Sequence, residues 1–115
     1  GIAADGAVGI SAAWALRAPA AKAIAIVLQE LSVPPGLYPL DVSVTINGDV
    51  AGRETLHGLD KSGAAPRTLT FAIPETTRGA PFFDIVLVNS NWITESILGT
   101  TRLIAYKLLR LSAMP

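Results

Sequence analysis

The sequence predicts an all-β fold, an antiparallel β-sandwich of jelly-roll type with about seven or eight strands. Three observations carry that expectation. Val42, Val44 and Ile46 alternate with Asp41, Ser43 and Thr45, and Leu69, Phe71 and Ile73 alternate with Thr68, Thr70 and Ala72. A period of two places one set on a buried face and the other in water. Asn47-Gly48 follows the first of these segments, and Asn-Gly favours the positive φ angles of a tight hairpin. Finally, the apolar segments are short and are cut throughout by Gly, Pro, Asn and Asp, which form turns.

Each element follows from the same reading. In the N-terminal third, Ser11 to Ala18 and Lys22 to Leu31 are rich in Ala, and Ala, Leu, Gln and Glu all favour helices. A helical hairpin broken at Pro19 is therefore an alternative there. Two strands are the preferred reading, because Ile24, Ile26 and Leu28 alternate with Ala23 and Ala25, and Gly6 and Gly9 stand just upstream. Pro34-Pro35-Gly36 and Pro39 mark a loop. Val42–Ile46 is a strand, and Val50–His57 returns antiparallel to it across the Asn-Gly turn. Lys61–Pro66 is a loop, Leu69–Ile73 a strand closed by Pro74, and Pro74–Pro81 another loop. Phe82–Asn89 is dense in aromatic and β-branched residues and reads as a strand covered on both faces. Asn89–Thr101 reads as a loop with room for a short edge strand, and Arg102–Leu111 as one final, central strand. No repeat or second domain is visible, so the chain reads as one sandwich domain over residues 1–115.

Composition narrows the function classes. The 115 residues suit a single core. Nine Lys and Arg balance nine Asp and Glu, so no net field draws in nucleic acid or acidic membranes. Basic residues are not interleaved with aromatics either, which argues against a nucleic-acid partner. There is no cysteine, which removes disulfides and thiolate zinc sites and fits a reducing, cytoplasmic setting. The richest apolar stretch, Ala18–Leu31, is interrupted by Pro19, Lys22, Gln29 and Glu30. It falls short of the roughly 20 apolar residues a spanning helix needs. Mean hydropathy is +0.47 and only 16% of residues are charged, against about a quarter in ordinary soluble domains. An excess of this kind predicts apolar surface covered by a partner domain or a second copy. The chain opens on Gly1 rather than Met, which suggests a piece of something larger.

Catalytic and cofactor chemistry finds little footing. His57 is the one histidine, and no serine sits in a G-x-S-x-G elbow to form a triad with it. The carboxylates Asp5, Glu30, Asp41, Asp49, Glu54, Asp60, Glu75, Asp84 and Glu95 lie mostly at expected turns, where they are solvated rather than paired for glycoside hydrolysis. There is no calcium-loop motif, P-loop or dinucleotide fingerprint. The expectation is a non-enzymatic domain without metal or cofactor.

Aromatic side chains stack on sugars through the apolar C–H faces of the ring, so the seven present bear on binding. Trp14, Phe71 and Tyr106 fall inside expected strands and read as core. Tyr38 and Trp92 fall in or beside loops, where binding surfaces concentrate. Trp92 reads equally as a cap on the sandwich end. Asn89, Asn91 and Glu95 flank it and carry hydrogen-bonding groups for hydroxyls.

Taken in order, five segments give a more specific indication. They are Asp5-Gly6-Ala7, Val44-Thr45-Ile46-Asn47-Gly48, Leu69-Thr70-Phe71-Ala72-Ile73-Pro74, the Trp92–Gly99 segment with Glu95, and Thr100-Thr101-Arg102-Leu103-Ile104. This succession resembles a β-sandwich accessory domain found beside bacterial glycosyltransferases that build surface polysaccharides. Ala7 stands where that pattern has an aromatic, and Thr100 where it has an Asp that would pair with Arg102. The resemblance implies a non-catalytic role: holding or presenting a polysaccharide near the transferase, or docking the transferase to its neighbours. The glycan candidates are then Trp92, Tyr38, Asn91, Glu95 and Arg102.

Overall fold

The computed structural model describes residues 6–31, 37–58 and 66–115. Asp5, the proline loop at 34–36, Asp60 and the loop residues 61–65 lie outside them. The described residues form ten strands: β1 (Ala7–Val8), β2 (Ser11–Leu16), β3 (Ala23–Glu30), β4 (Leu40–Ile46), β5 (Asp49–Leu56), β6 (Arg67–Ala72), β7 (Phe83–Asn89), β8 (Ile93–Ile97), β9 (Thr100–Ile104) and β10 (Tyr106–Met114). Ala-rich β2 and β3 are strands, not a helical hairpin. Their alternation decides the matter over helix propensity, since every second residue of β3 from Ile24 to Glu30 is buried.

Two four-stranded antiparallel sheets stack face to face, in the orders β1-β10-β3-β6 and β2-β7-β4-β5. With β8–β9 set aside as an inserted hairpin, the first strand lies beside the last and the second beside the seventh. This is the jelly-roll pairing of two interlocked Greek keys. The core is the set of inward residues from both layers. Ile24, Ile26 and Leu28 of β3 face Leu40, Val42, Val44 and Ile46 of β4 and Ile85 and Leu87 of β7, all with no exposure. At about 25 cal/mol per Å² of apolar surface, each such side chain contributes about 1.5–3 kcal/mol.

Four expectations need correction. The strand count is ten, because β1 and β8 add to the seven read clearly and the last segment divides in two. Arg102–Leu111 is not one strand: it breaks at Ala105, whose N–H donates to Val8 O at 2.7 Å. The break lets β9 pair with β8 while β10 joins the other sheet between β1 and β3. β7 is central in its sheet but covered on one face only, with Phe83, Ile85 and Leu87 buried while Asp84 and Val88 are exposed. The segment 89–101 does hold a short strand, β8, but that strand forms a hairpin with β9, with Ile93↔Ile104 through Ile97↔Thr100 in register, so most of the segment is not a loop.

The topology gives the sandwich two unlike ends. At one lie the β2–β3, β4–β5 and β6–β7 connections. At the other lie the β1–β2 connection, the last residues of β3 and β5 and the first of β4 and β6, together with the β8–β9 hairpin.

Candidate functional site

Trp92, Tyr38 and Asn91 all lie at this second end, each placed there by hydrogen bonds that involve the backbone. β7 ends at Asn89, whose N–H donates to Ile10 O at 2.8 Å and whose side-chain amide donates to Gly9 O at 2.8 Å. Ser90 and Asp41 exchange the next bonds: Ser90 N–H to Asp41 O at 3.0 Å, and Asp41 N–H to Ser90 Oγ at 2.8 Å. Asn91 then clamps the link to β8. Its Nδ2 donates to Leu37 O at 3.1 Å and its Oδ1 accepts the Trp92 N–H at 2.9 Å. Both polar atoms of the Asn91 amide therefore work on the protein's own backbone, and Asn91 positions Trp92.

Tyr38 is also structural. Its ring packs half-buried against the core and its hydroxyl donates to Leu31 O at 2.9 Å, tying together the two sides of the β3–β4 loop. A Cβ at Gly58 would sit 3.0 Å from its ring. Burial pushes the Tyr38 phenol above its ordinary pKa, with the Glu30 carboxylate acting in the same direction. Trp92 differs: 38% of it is exposed, and it is the one candidate that presents an aromatic surface to solvent.

Glu95 and Arg102 face each other across the hairpin, with Arg102 Nη2 to Glu95 Oε1 at 3.1 Å. Arg102 thus finds Glu95 where the family-like pattern expects an Asp at 100. The pair shares the inward face with Ile93 and buried Ile104. Thr94 and Leu103 form the outward face, and by the same alternation Trp92 falls on their side. The five candidates therefore lie at one end of the sandwich, with Tyr38 brought there from a distant part of the chain, but Trp92 and the Glu95–Arg102 pair do not share one surface.

Four exposed apolar residues that the sequence does not single out lie at this end: Ile10, Val88, Leu98 and Leu103. The period-two rule at β7 contains the signal for Val88, because Phe83, Ile85 and Leu87 claim the core and Val88 must face out.

The other end carries a polar cleft of about 390 Å³ lined by Asn47, Asp49, Thr76, Thr77, Arg78, Gly79 and Ala80. Asp49 Oδ2 accepts the hydroxyls of Thr76 and Thr77 at 2.8 and 2.7 Å. These two bonds, Thr77 first, hold its carboxyl below the usual range. Elsewhere Glu30 pairs with Arg67 at 3.1 Å, and Asp41 accepts the Thr55 hydroxyl at 2.6 Å. His57 is exposed just past the end of β5. Among the described residues, no three His, Asp or Glu side chains gather as a metal site would require, and no helix is long and apolar enough to cross a membrane.

No protein-family model matches the chain, and no curated protein matches it.

Proposed function

We propose that this chain is a non-catalytic accessory domain that holds a bacterial surface polysaccharide at the Trp92 end of the sandwich, alongside a glycosyltransferase domain. The observation that carries the reading is Trp92, an indole kept in solvent while the Asn91 amide fixes the backbone that bears it. A ring held this way stacks on a sugar without first losing much conformational freedom. The ordered succession of segments resembling the transferase-associated domain supplies the ligand class. Titration of surface-polysaccharide fragments, followed by Trp fluorescence, is expected to show millimolar to micromolar affinity. Trp92→Ala should abolish it while the melting temperature holds. Absence of binding to every bacterial glycan tried, or binding unchanged in Trp92→Ala, would sink the proposal.

A second reading, an interaction module, is favoured by the outer face of the β2-β7-β4-β5 sheet. Exposed Ala13 lies opposite half-buried Val86, exposed Val88 lies opposite Ser11, and Phe82 is 55% exposed at the end of β7, while Ala15 lies opposite Asp84. Phe83, by contrast, is fully buried and contributes nothing to such a surface. A partner domain would cover this face. Co-expression with the neighbouring transferase domain should protect Val86 and Val88 from solvent labelling, and unchanged labelling removes this reading.

A further inference from the structure

We infer that the edge of β2 turned away from β7 pairs antiparallel, through Ala13 and Ala15, with β2 of a second copy, across a two-fold axis at Trp14. This goes beyond the glycan reading and does not depend on it.

The two outer edges of this sheet are built differently. β5 carries Arg53 and Glu54, and it is bulged where Val44↔Gly52 steps to Thr45↔Val50. Charges and bulges are the usual defences of an edge strand against pairing. β2 has neither. Over Ser11–Leu16 it holds no charge, proline or glycine, and its register with β7 runs unbroken from Ser11↔Val88 to Leu16↔Phe83. Among the described residues no strand pairs with its other side.

Hydrogen-bond phase shows which backbone groups meet a partner. The Asn89 N–H donates to Ile10 O, so Ile10 and Asn89 form a hydrogen-bonded pair. Ladder alternation then turns Ala12, Trp14 and Leu16 toward β7. The N–H and C=O groups of Ala13 and Ala15 point the opposite way, out of the sheet edge. An axis at Trp14 places Ala13 opposite the partner's Ala15 and the reverse, which makes four N–H···O bonds. The side chains of both residues are small and exposed, so neither clashes nor like charges arise.

Trp14 selects the centre. It is only half-buried, on the core side of β2 with Ala12 and Leu16. In this register the two Trp14 residues form a non-hydrogen-bonded pair, where side chains approach most closely and aromatic pairs are favourable. Each indole covers the open edge beside the other, and Leu16 meets the partner's Ala12. The contact is one short strand wide, well under a standard interface, so the association is weak, with a dissociation constant on the order of 10–1,000 µM.

The test is sedimentation velocity from about 10 µM to about 1 mM, with Trp14 emission recorded in a Trp92→Phe background. The mass should rise from monomer to dimer as the emission shifts to the blue. Ala15→Pro removes an N–H that faces the free edge and leaves the ladder to β7 intact. It should stay monomeric at every concentration with an unchanged circular dichroism spectrum. Ala13→Glu combined with Ala15→Lys sets a carboxylate at 13 against an ammonium at 15 of the other copy, with the ammonium also opposite Asp84 of β7, and should dimerise at least as tightly as the native chain. Trp92→Ala, which tests the glycan reading, should leave dimerisation untouched. A native chain monomeric at about 1 mM, or an Ala15→Pro variant that dimerises like the native chain, overturns the inference.

Discussion

Two of the hairpin turns among the described residues share left-handed φ angles and differ in anchoring. Asn47-Gly48 joins β4 to β5 with φ of 50° and 83°, and Leu98-Gly99 joins β8 to β9 with φ of 50° and 79°. Both are two-residue hairpins with both central residues in the left-handed region. Asn47 is also fastened to the next connection: its Nδ2 donates to Phe82 O at 3.1 Å, its Oδ1 accepts Asp84 N–H at 2.7 Å, and its own N–H donates to Asp84 O at 2.9 Å. Leu98 is wholly exposed and has no polar group to fasten. One turn closes the sandwich and the other ends a hairpin beyond it. The β8–β9 hairpin is held at its base, where Ile93 packs on the core, Ile104 is buried and Gly9 approaches the Leu103 backbone. Local opening is therefore cheaper at the tip of the β8–β9 hairpin than at the Asn47-Gly48 turn.

The largest expected effect separates the two turns directly. Asn47→Leu deletes two side-chain hydrogen bonds, each about 1 kcal/mol net, and puts a residue ill suited to positive φ into the left-handed region at about 1–2 kcal/mol. Equilibrium urea unfolding should show a loss of about 2–4 kcal/mol. The reciprocal change, Leu98→Asn, removes that backbone cost without adding a tertiary bond, and should gain about 0.5–1 kcal/mol or slow hydrogen exchange within β8–β9. If the two substitutions shift stability by equal and opposite amounts, the turns differ only in intrinsic φ preference, and the contrast in anchoring fails.

The same pair of turns shows why the fold was legible in the sequence and the site less so. Asn47-Gly48 states its hairpin in residue types, and the alternation through β4, β6 and β7 states which face is core. Leu98-Gly99 carries half of that signal, because leucine enters the left-handed region only where strand pairing on both sides imposes it. The segment 89–101 therefore reads as a loop with room for one short edge strand, which β8 occupies, and not as a hairpin. The break at Ala105 is equally silent, since a buried alanine can continue a strand or change sheets, and the Val8 carbonyl that fixes it is distant in sequence. At the candidate site, Trp92 was legible as an aromatic beside a turn. The roles of Asn91 and Tyr38 were not, because their partners are the carbonyls of Leu37 and Leu31, and any residue supplies a carbonyl.

The smallest expected effect lies in the residue that follows each turn. Asp49 follows Gly48, whereas Thr100, which carries no titratable group, follows Gly99. The two threonine hydroxyls on Asp49 favour its ionised form and lower its pKa in the folded chain. A lowered carboxyl pKa stabilises the folded state above the ordinary value of about 3.9 and loses that contribution as pH falls through and below it. Asp49→Asn keeps an acceptor oxygen and removes the titration. The gap in urea midpoint between the native chain and Asp49→Asn should be widest near pH 6 and narrow below about pH 4. The carboxylate is solvated, so the gap stays small and shrinks further in high salt. A gap independent of pH would assign the threonine bonds a purely geometric role, and the anchoring of this end would then rest on Asn47 alone.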